Sequence, residues 1–575
     1  MSETTTERQE VPFTIDGVTY NAYKGETVLE AALRNGYFIP HYCWHPSLSI
    51  AGNCRMCLVH TKPGPPKPQI ACNTVVTENM EVDGASEKTK TAREGILEFL
   101  LANHPLDCPI CDQAGECDLQ QYSFDHGRSS SKFAEIKTQR PRHDLGPRIR
   151  FNGNRCIVCT RCVRFCHEVT GTGELAVVNR SDASWIDVFP GIPLDNPLSG
   201  CVADLCPVGA LLDTDWIHTT RTWLLRGTKS VCAGCATGCN VNVETFDDSV
   251  KRITPRENQA VNNWWMCDKG RDKYKEAAVE SRLRVSRKDG EPVTHQAALE
   301  AALELYRGTP LGKVAYLTTG HATLEELHLL DTITGGPGGV NYAPEGDSFT
   351  ALDGFEVSAD KNPNRAGVSA VLGDLDGGEA VAKAITSGQV ELVVVCDSSP
   401  GGAEWSEGLV EALRGDVPAI VISLEDTWLA QSKQVAFPAL HAIEKDGSLI
   451  NSKGRVQRLR AAVSPPGDAR GELEVLQELG RAGGHFPRVV SAGGVFRRLA
   501  AANPASFDGI TYRGLGLVGL PMVGAADQTP AEECMTYYTA GPVSRDPSHN
   551  AQDEQTRVAV HRESPIGYGT VRGSI

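Results

Sequence analysis

Residues 155–166 read RCIVCTRCVRFC, with Cys156, Cys159, Cys162 and Cys166 in the order C-x2-C-x2-C-x3-C. This is the run of bacterial ferredoxins, in which three thiolates hold one [4Fe–4S] cluster and the fourth serves a second cluster. The first cluster then needs a distant fourth thiolate, and LCPVGAL supplies Cys206. A second cluster of the same spacing needs cysteines ten, seven and four residues before Cys206, where the chain carries Asn196, Ser199 and Val202. That second cluster is eroded, so Cys166 and the off-register Cys201 read as small buried thiols.

Upstream, HPLDCPICDQAGEC (104–117) places Cys108, Cys111 and Cys117 as C-x2-C-x5-C, one ligand short of a tetrathiolate site. A carboxylate, one of the unassigned thiols (Cys166, Cys201, Cys396, Cys534) or His104 could complete it. His104 is within reach along the chain, and imidazole replaces thiolate in some clusters; the plain alternative is a polar residue at a helix end. Nearer the N-terminus, Cys43, Cys54, Cys57 and Cys72 have the spacing C-x10-C-x2-C-x14-C. Three thiolates from one loop and a fourth from a later segment suit a [2Fe–2S] cluster, although the first interval is longer than the plant-type C-x4-C. Structural zinc is the alternative, but zinc sites usually pair two C-x2-C knuckles and this set has one. A last set, Cys232, Cys235, Cys239 and Cys267, ends in CDKGR and fits [4Fe–4S] or zinc equally well. Lys269 beside it reads as a charge relay or as a solvated lysine.

The bulk composition agrees with metal chemistry. Of 19 cysteines, all but Cys396 and Cys534 lie between Cys43 and Cys267. A secreted disulfide scaffold is a poor fit, because the start MSETTTERQE is polar and lacks the apolar core of a signal peptide. No apolar run reaches the roughly 18 residues of a membrane span, so a soluble cytoplasmic protein is expected. A net charge of -16 without a long basic stretch argues against nucleic acid as a partner.

At 575 residues the chain holds several domains. Val11, Phe13 and Ile15, a turn at Asp16-Gly17, then Val18 and Tyr20 predict a β-hairpin. Thr27 and Glu30 predict a capped helix ending at Gly36, and together these suggest a β-grasp domain. Thr91 and Glu94 suggest a second capped helix, which halts at His104-Pro105. Beyond about residue 280, KVAYLTTG, VELVVVC and PAIVISL are short strands, and the first two lead into helical patterns such as TLEELHLL, which is α/β patterning. The tail ending PIGYGTVRGSI has no clear periodicity. The expected segments are 1–88, 89–144, 145–226, 227–283, 284–500 and a C-terminal extension, 501–575.

Four ordered motifs, CWHPSLSIAGNCRMCLV, H-x3-C-x2-C-x5-C, RCIVCTRCVRF with its distant DLCPVGAL, and C-x2-C-x3-C with CDKGR, resemble the large, 75 kDa-type iron–sulfur subunit of NADH-quinone oxidoreductase, respiratory complex I. The resemblance is specific through about residue 275. Residues 228 to about 480 resemble molybdopterin oxidoreductases more weakly, through CDKGR and EKDGSLINSKGRVQR. Together these resemblances imply a multidomain α+β and α/β fold. Its parts are an N-terminal [2Fe–2S] β-grasp ferredoxin domain, a cluster segment with one histidine and three cysteines, a ferredoxin-like [4Fe–4S] domain and a truncated molybdopterin-oxidoreductase-like α/β scaffold.

The resemblance also implies one [2Fe–2S] cluster on Cys43, Cys54, Cys57 and Cys72. Three [4Fe–4S] clusters are implied on His104, Cys108, Cys111 and Cys117, on Cys156, Cys159, Cys162 and Cys206, and on Cys232, Cys235, Cys239 and Cys267. No molybdenum is expected, and no catalytic side chain. Electrons would enter from a flavin- and NADH-binding subunit at the Cys43 cluster, pass to the Cys156 cluster and then the His104 cluster, and leave to a two-[4Fe–4S] ferredoxin-like subunit toward quinone. The Cys232 cluster would lie off this route. A small [2Fe–2S] subunit and other peripheral-arm subunits are implied as further partners, at the cytoplasmic face of a bacterial inner membrane, which the chain would meet only through the complex. Arg155, Arg161 and Arg164 would offset cluster charge or face a partner. The competing functions are a molybdenum formate dehydrogenase, a cluster-bearing subunit of an NAD-linked hydrogenase, and an assembly scaffold with structural zinc.

Overall fold

The structure, a computed structural model, describes residues 9–486, 488 and 490–526. Cys534 and the tail ending PIGYGTVRGSI lie outside the described residues.

The N-terminal hairpin forms as its alternation predicts, from β1 (Glu10–Ile15) and β2 (Val18–Tyr23). Asp16 and Gly17 both take positive φ, the geometry that matches a two-residue turn to strand twist. Helix α1 (Val28–Arg34) starts at a reciprocal box: the Thr27 side chain accepts the Glu30 N–H, and the Glu30 carboxylate accepts the Thr27 N–H. Gly36 follows its end at φ 77°. With β3 (Leu58–Lys62), β4 (Gln69–Ile70) and β5 (Met80–Asp83) the sheet order is β2-β1-β5-β3-β4. Phe13, Ile15, Leu29, Val59 and Val82 pack between this sheet and α1.

Helix α2 (Glu87–Ala102) corrects one expectation, because it begins a turn before Thr91. Ser86 caps it by accepting the Thr89 N–H, and the Asp83 carboxylate at the end of β5 accepts the Ser86 N–H. Thr91 and Glu94 therefore lie inside the helix, where their spacing caps nothing. The helix stops at Asn103, just before His104-Pro105. Helix α3 (Asp118–His126) then packs against it.

The third segment is a small sheet of Arg142–Asp144, Ile149–Asn152 and Leu211–Asp213, crossed by α4 (Arg161–Glu168) and α5 (Cys201–Leu205). The fourth is an antiparallel sheet of Arg226–Val231, Asn240–Phe246 and Ser249–Pro255. These segments share one apolar core that runs from Tyr42 and Leu97 through Phe151 and Phe165 to Trp265.

The C-terminal half is a doubly wound sheet. Val314–Thr319, Leu392–Asp397, Ala419–Ser423 and Val435–Pro438 run parallel at its centre. Alternate residues feed two cores: Val314, Val394 and Ile420 face one set of helices, while Ala315, Val395 and Val421 face the other. Charged groups are buried in this half as well, each with a partner: Lys445 binds Glu326 and Glu472, and Arg282 binds Glu444.

Two expected boundaries fall inside helices: 88/89 lies within α2, and 500/501 within Ala492–Ala502. The strand Leu520–Pro521 pairs with Arg455–Leu459, so residues after 500 are built into the α/β half through a contact distant in sequence. Among the described residues no helix is long and apolar enough to cross a membrane.

Glu325 is buried, and its carboxylate accepts both the N–H and the hydroxyl of Ser448. Burial outweighs these bonds and raises its pKa from 4.5 to about 7. The folded chain therefore binds this proton more tightly than the unfolded chain, and stability falls as pH rises from about 4.5 to about 7. Glu325→Gln is expected to remove that decline and to stabilise the fold at about pH 8 by up to about 3 kcal/mol, measured by thermal melts across the pH range.

Candidate metal centres

The loop that follows Arg155 is wound tightly. Val158 and Thr160 take φ values of 51° and 65°, a left-handed conformation that costs β-branched residues free energy and is typical of functional sites. The winding lets the Val158 N–H donate to Cys156 Sγ at 3.3 Å. Cys156, Cys159 and Cys162 lie within electrostatic reach of one another and of Cys206. Burial pushes the Cys159 thiol up to about 11, and the other three thiols also rise. Without a metal these sulfurs stay protonated, so loading the site releases protons.

The N-terminal set is similarly assembled. The Cys43 N–H donates to Cys54 Sγ at 3.5 Å, and Cys57 lies within electrostatic reach of Cys72 and Cys43. The contact with Cys54 holds the Cys43 thiol below its usual range, helped by Arg164. In the fourth set Cys232, Cys235, Cys239 and Cys267 all influence one another. The Gly270 N–H donates to Cys267 Sγ at 3.3 Å.

The second set is more open. Cys111 and Cys117 are buried, whereas Cys108 is exposed. His104 is half-buried, and burial together with Arg155 and Lys137 lowers its pKa to about 4. It is thus a neutral imidazole at physiological pH, which is the ligating form. Cys111 lies against the loop of the third set so closely that a Cβ at Gly209 would collide with its Sγ. Among the described residues no three His, Cys, Asp or Glu side chains form a group suited to a single metal ion.

Two further thiols lie beside the sets, Cys166 within electrostatic reach of Cys162 and Cys201 within reach of Cys239. Cys166 and Cys201 are both fully buried. The Cys201 S–H donates to the Met266 carbonyl at 3.3 Å, and its sulfur accepts from Arg271 at 3.3 Å. Lys269 is on the surface, paired with Asp347 at 2.5 Å and 76% exposed, as a solvated lysine would be.

The donor sets fit iron–sulfur clusters for a reason beyond spacing. Arg161 is 2% exposed, and its guanidinium donates to the Trp44 carbonyl at 2.6 Å and the Leu205 carbonyl at 3.3 Å. Among the described residues no carboxylate pairs with it. A buried charge of this kind is unstable without an opposite charge nearby, and thiolate-ligated clusters supply one. This signal was invisible in the sequence, where the arginine could equally have faced solvent or a partner. Gly209 was missed for the same reason, since its neighbour Cys111 is remote along the chain.

A cavity of about 330 Å³ opens beside Cys206 and Trp216. Three of its basic lining residues are paired, Arg252 with Glu116 and Glu244, Arg148 with Asp213 and Asp272, and Arg271 with Asp204, whereas Arg161, which also lines it, has no carboxylate partner among the described residues.

Family comparisons agree with this layout. Residues 8–87 match a 2Fe-2S iron-sulfur cluster binding domain and residues 93–132 the NADH-ubiquinone oxidoreductase-G iron-sulfur binding region. Residues 146–212 match the ferredoxin-like domain of NADH-quinone oxidoreductase subunit 3. Residues 225–278 match the molybdopterin oxidoreductase Fe4S4 domain, and residues 318–482 match molybdopterin oxidoreductase. The chain is therefore an iron–sulfur protein that joins ferredoxin-type modules to a molybdopterin-oxidoreductase-type half.

Among its named relatives are large iron–sulfur subunits of NADH-quinone oxidoreductase and their mitochondrial-type counterparts. The G subunit of that enzyme in Rickettsia felis is 37% identical over 337 residues, 58% of this chain and 50% of the relative. The 75 kDa subunit of NADH-ubiquinone oxidoreductase from Reclinomonas americana is 44% identical over 260 residues, 45% of this chain and 38% of its own. The 78 kDa subunit of Neurospora crassa is 46% identical over 264 residues, 46% of this chain and 35% of its own. The chain spans about half the length of the first of these relatives, and less of the others.

Gly209→Ala is expected to disrupt the Cys111 site and to lower iron content by about four atoms per chain after anaerobic reconstitution. Cys166→Ala is expected to leave iron content unchanged, and an iron assay checks both.

Proposed function

We propose that the chain is an electron-transfer subunit of the peripheral arm of a proton-translocating NADH:quinone oxidoreductase. The observation that carries this reading is the shared core: cysteines of all four sets line or pack against one continuous apolar cluster. Four redox sites around one dry interior suit transfer between sites, whereas independent structural zinc knuckles have no need of it.

The [2Fe–2S] cluster would be held by Cys43, Cys54, Cys57 and Cys72. The [4Fe–4S] clusters would be held by His104 with Cys108, Cys111 and Cys117, by Cys156, Cys159, Cys162 and Cys206, and by Cys232, Cys235, Cys239 and Cys267. When bound, these clusters supply one-electron carriers. The chain's residues bury them, donate N–H groups to their sulfurs and set their potentials through nearby charge. The flavin-bearing subunit would deliver electrons at the Cys43 set, and the two-cluster ferredoxin-like subunit would receive them from the His104 set. Docking at the membrane would be indirect, on the cytoplasmic face.

The α/β half serves as a scaffold in this reading. At the carboxyl ends of its strands, where such folds bind ligands, the cavity facing Cys232 has a volume of about 40 Å³ and is lined by Lys273, His321, Ser398 and His441. That holds a few water molecules, far below the roughly 300–1,000 Å³ of a cofactor pocket. This supports the electron-transfer reading over a molybdenum formate dehydrogenase.

Anaerobic reconstitution followed by metal analysis and EPR tests the assignment. About 14 iron atoms per chain, no molybdenum and negligible zinc are expected, and fewer than about ten iron atoms would overturn it. In His104→Ala the signal of one [4Fe–4S] cluster should change while the other clusters keep theirs.

A further inference from the structure

The three arginines of RCIVCTRCVRF are not spread around one site. Each bridges two of the cysteine sets. Arg164 donates to the Cys43 carbonyl and, at 3.5 Å, to the Cys159 carbonyl, so one guanidinium touches a candidate ligand residue of the first set and one of the third. Arg161 joins Trp44, next to Cys43, to Leu205, next to Cys206. Arg155 reaches the other way. Its guanidinium donates to the Asp107 carboxylate at 3.1 Å, beside Cys108, and to the Gly209 carbonyl at 3.5 Å, three residues after Cys206.

We propose that Arg155, Arg161 and Arg164 are junction cations, positioning residues that each hold two cluster loops together and raise the reduction potentials of both clusters they lie between. Arg161 and Arg164 act at the junction of the Cys43 and Cys156 clusters. Arg155 acts at the junction of the Cys156 and His104 clusters. This rests on the cluster assignment proposed above.

The charge balance at the junction of the Cys43 and Cys156 sets supports the role, and at the other junction geometry carries it. Arg161 and Arg164 are bonded chiefly to carbonyl oxygens, which orient a guanidinium without neutralising it. Arg155 keeps one carboxylate, Asp107, on the His104 side. The boundary with the fourth set is built differently. There Arg271 is buried but paired with Asp204 and Asp268, so its charge is compensated within the protein. Reduction adds negative charge to a cluster, and a fixed cation near two clusters favours the reduced state of each.

Potentiometric EPR titration of the reconstituted full chain tests this through a pattern. Arg155→Gln should lower the potentials of the Cys156 and His104 clusters and leave the other two in place. Arg164→Gln should lower those of the Cys43 and Cys156 clusters only. A shift of about threefold to tenfold in the oxidised-to-reduced ratio is expected, where tenfold corresponds to about 59 mV for a one-electron couple. Asp107→Asn should raise the same pair that Arg155→Gln lowers, a sign that structural damage would not produce and a readout that remains if the arginine variants fail to fold. Unchanged potentials, or equal shifts at all clusters, would overturn the proposal while the wild-type iron count still supported the cluster assignment. A wild-type chain lacking the Cys156 or His104 cluster would overturn both.

Discussion

Arg161 carries a full charge into a nearly buried position, and the groups that grip it are backbone carbonyls. Its solvation is therefore incomplete until an anion lies close by. The surrounding thiols are in the complementary position, because burial keeps them protonated and neutral until a metal displaces the protons. Each half of the arrangement is costly alone. Under the proposed cluster assignment, loading the sites would resolve both costs together and couple cofactor insertion to the closure of the N-terminal core.

That coupling explains why the modules are not beads on a string. The loop bearing Cys43 and the loop bearing Cys206 meet through one side chain, and Asn53, beside Cys54, donates to the Val158 carbonyl at 3.2 Å. The α/β half needs no metal to achieve the same end. There, alternating strand residues fill two apolar layers, and Lys445 is neutralised by Glu326 and Glu472 within the fold. The chain thus contains two solutions to burying charge, one with internal carboxylates and one that depends on a cofactor.

Local chemistry was legible in the sequence. The hairpin at Asp16-Gly17, the Thr27 capping box and the core strands of the α/β half all follow from neighbouring residues, and the structure contains them. The helix start at Ser86 was misread because two cap-like patterns overlap, and the choice was made by Asp83 at the end of the preceding strand. The short pairing of Leu520–Pro521 with Arg455–Leu459 had no periodic signal. Spacing grouped the cysteines, but it said nothing of which sets adjoin. That information lies in long-range contacts, such as Arg161 with Trp44, which no local pattern encodes.

The absence of a side chain at Gly209 has a consequence for the distance between centres. Cys111 and the loop of Cys206 approach so closely at Gly209 that a methyl group would not fit between them. The close approach depends on the bare main chain at residue 209, with Gln113 and Arg155 packed beside it. In the proposed electron-transfer role, any side chain at residue 209 would push the Cys111 site and the Cys206 loop apart.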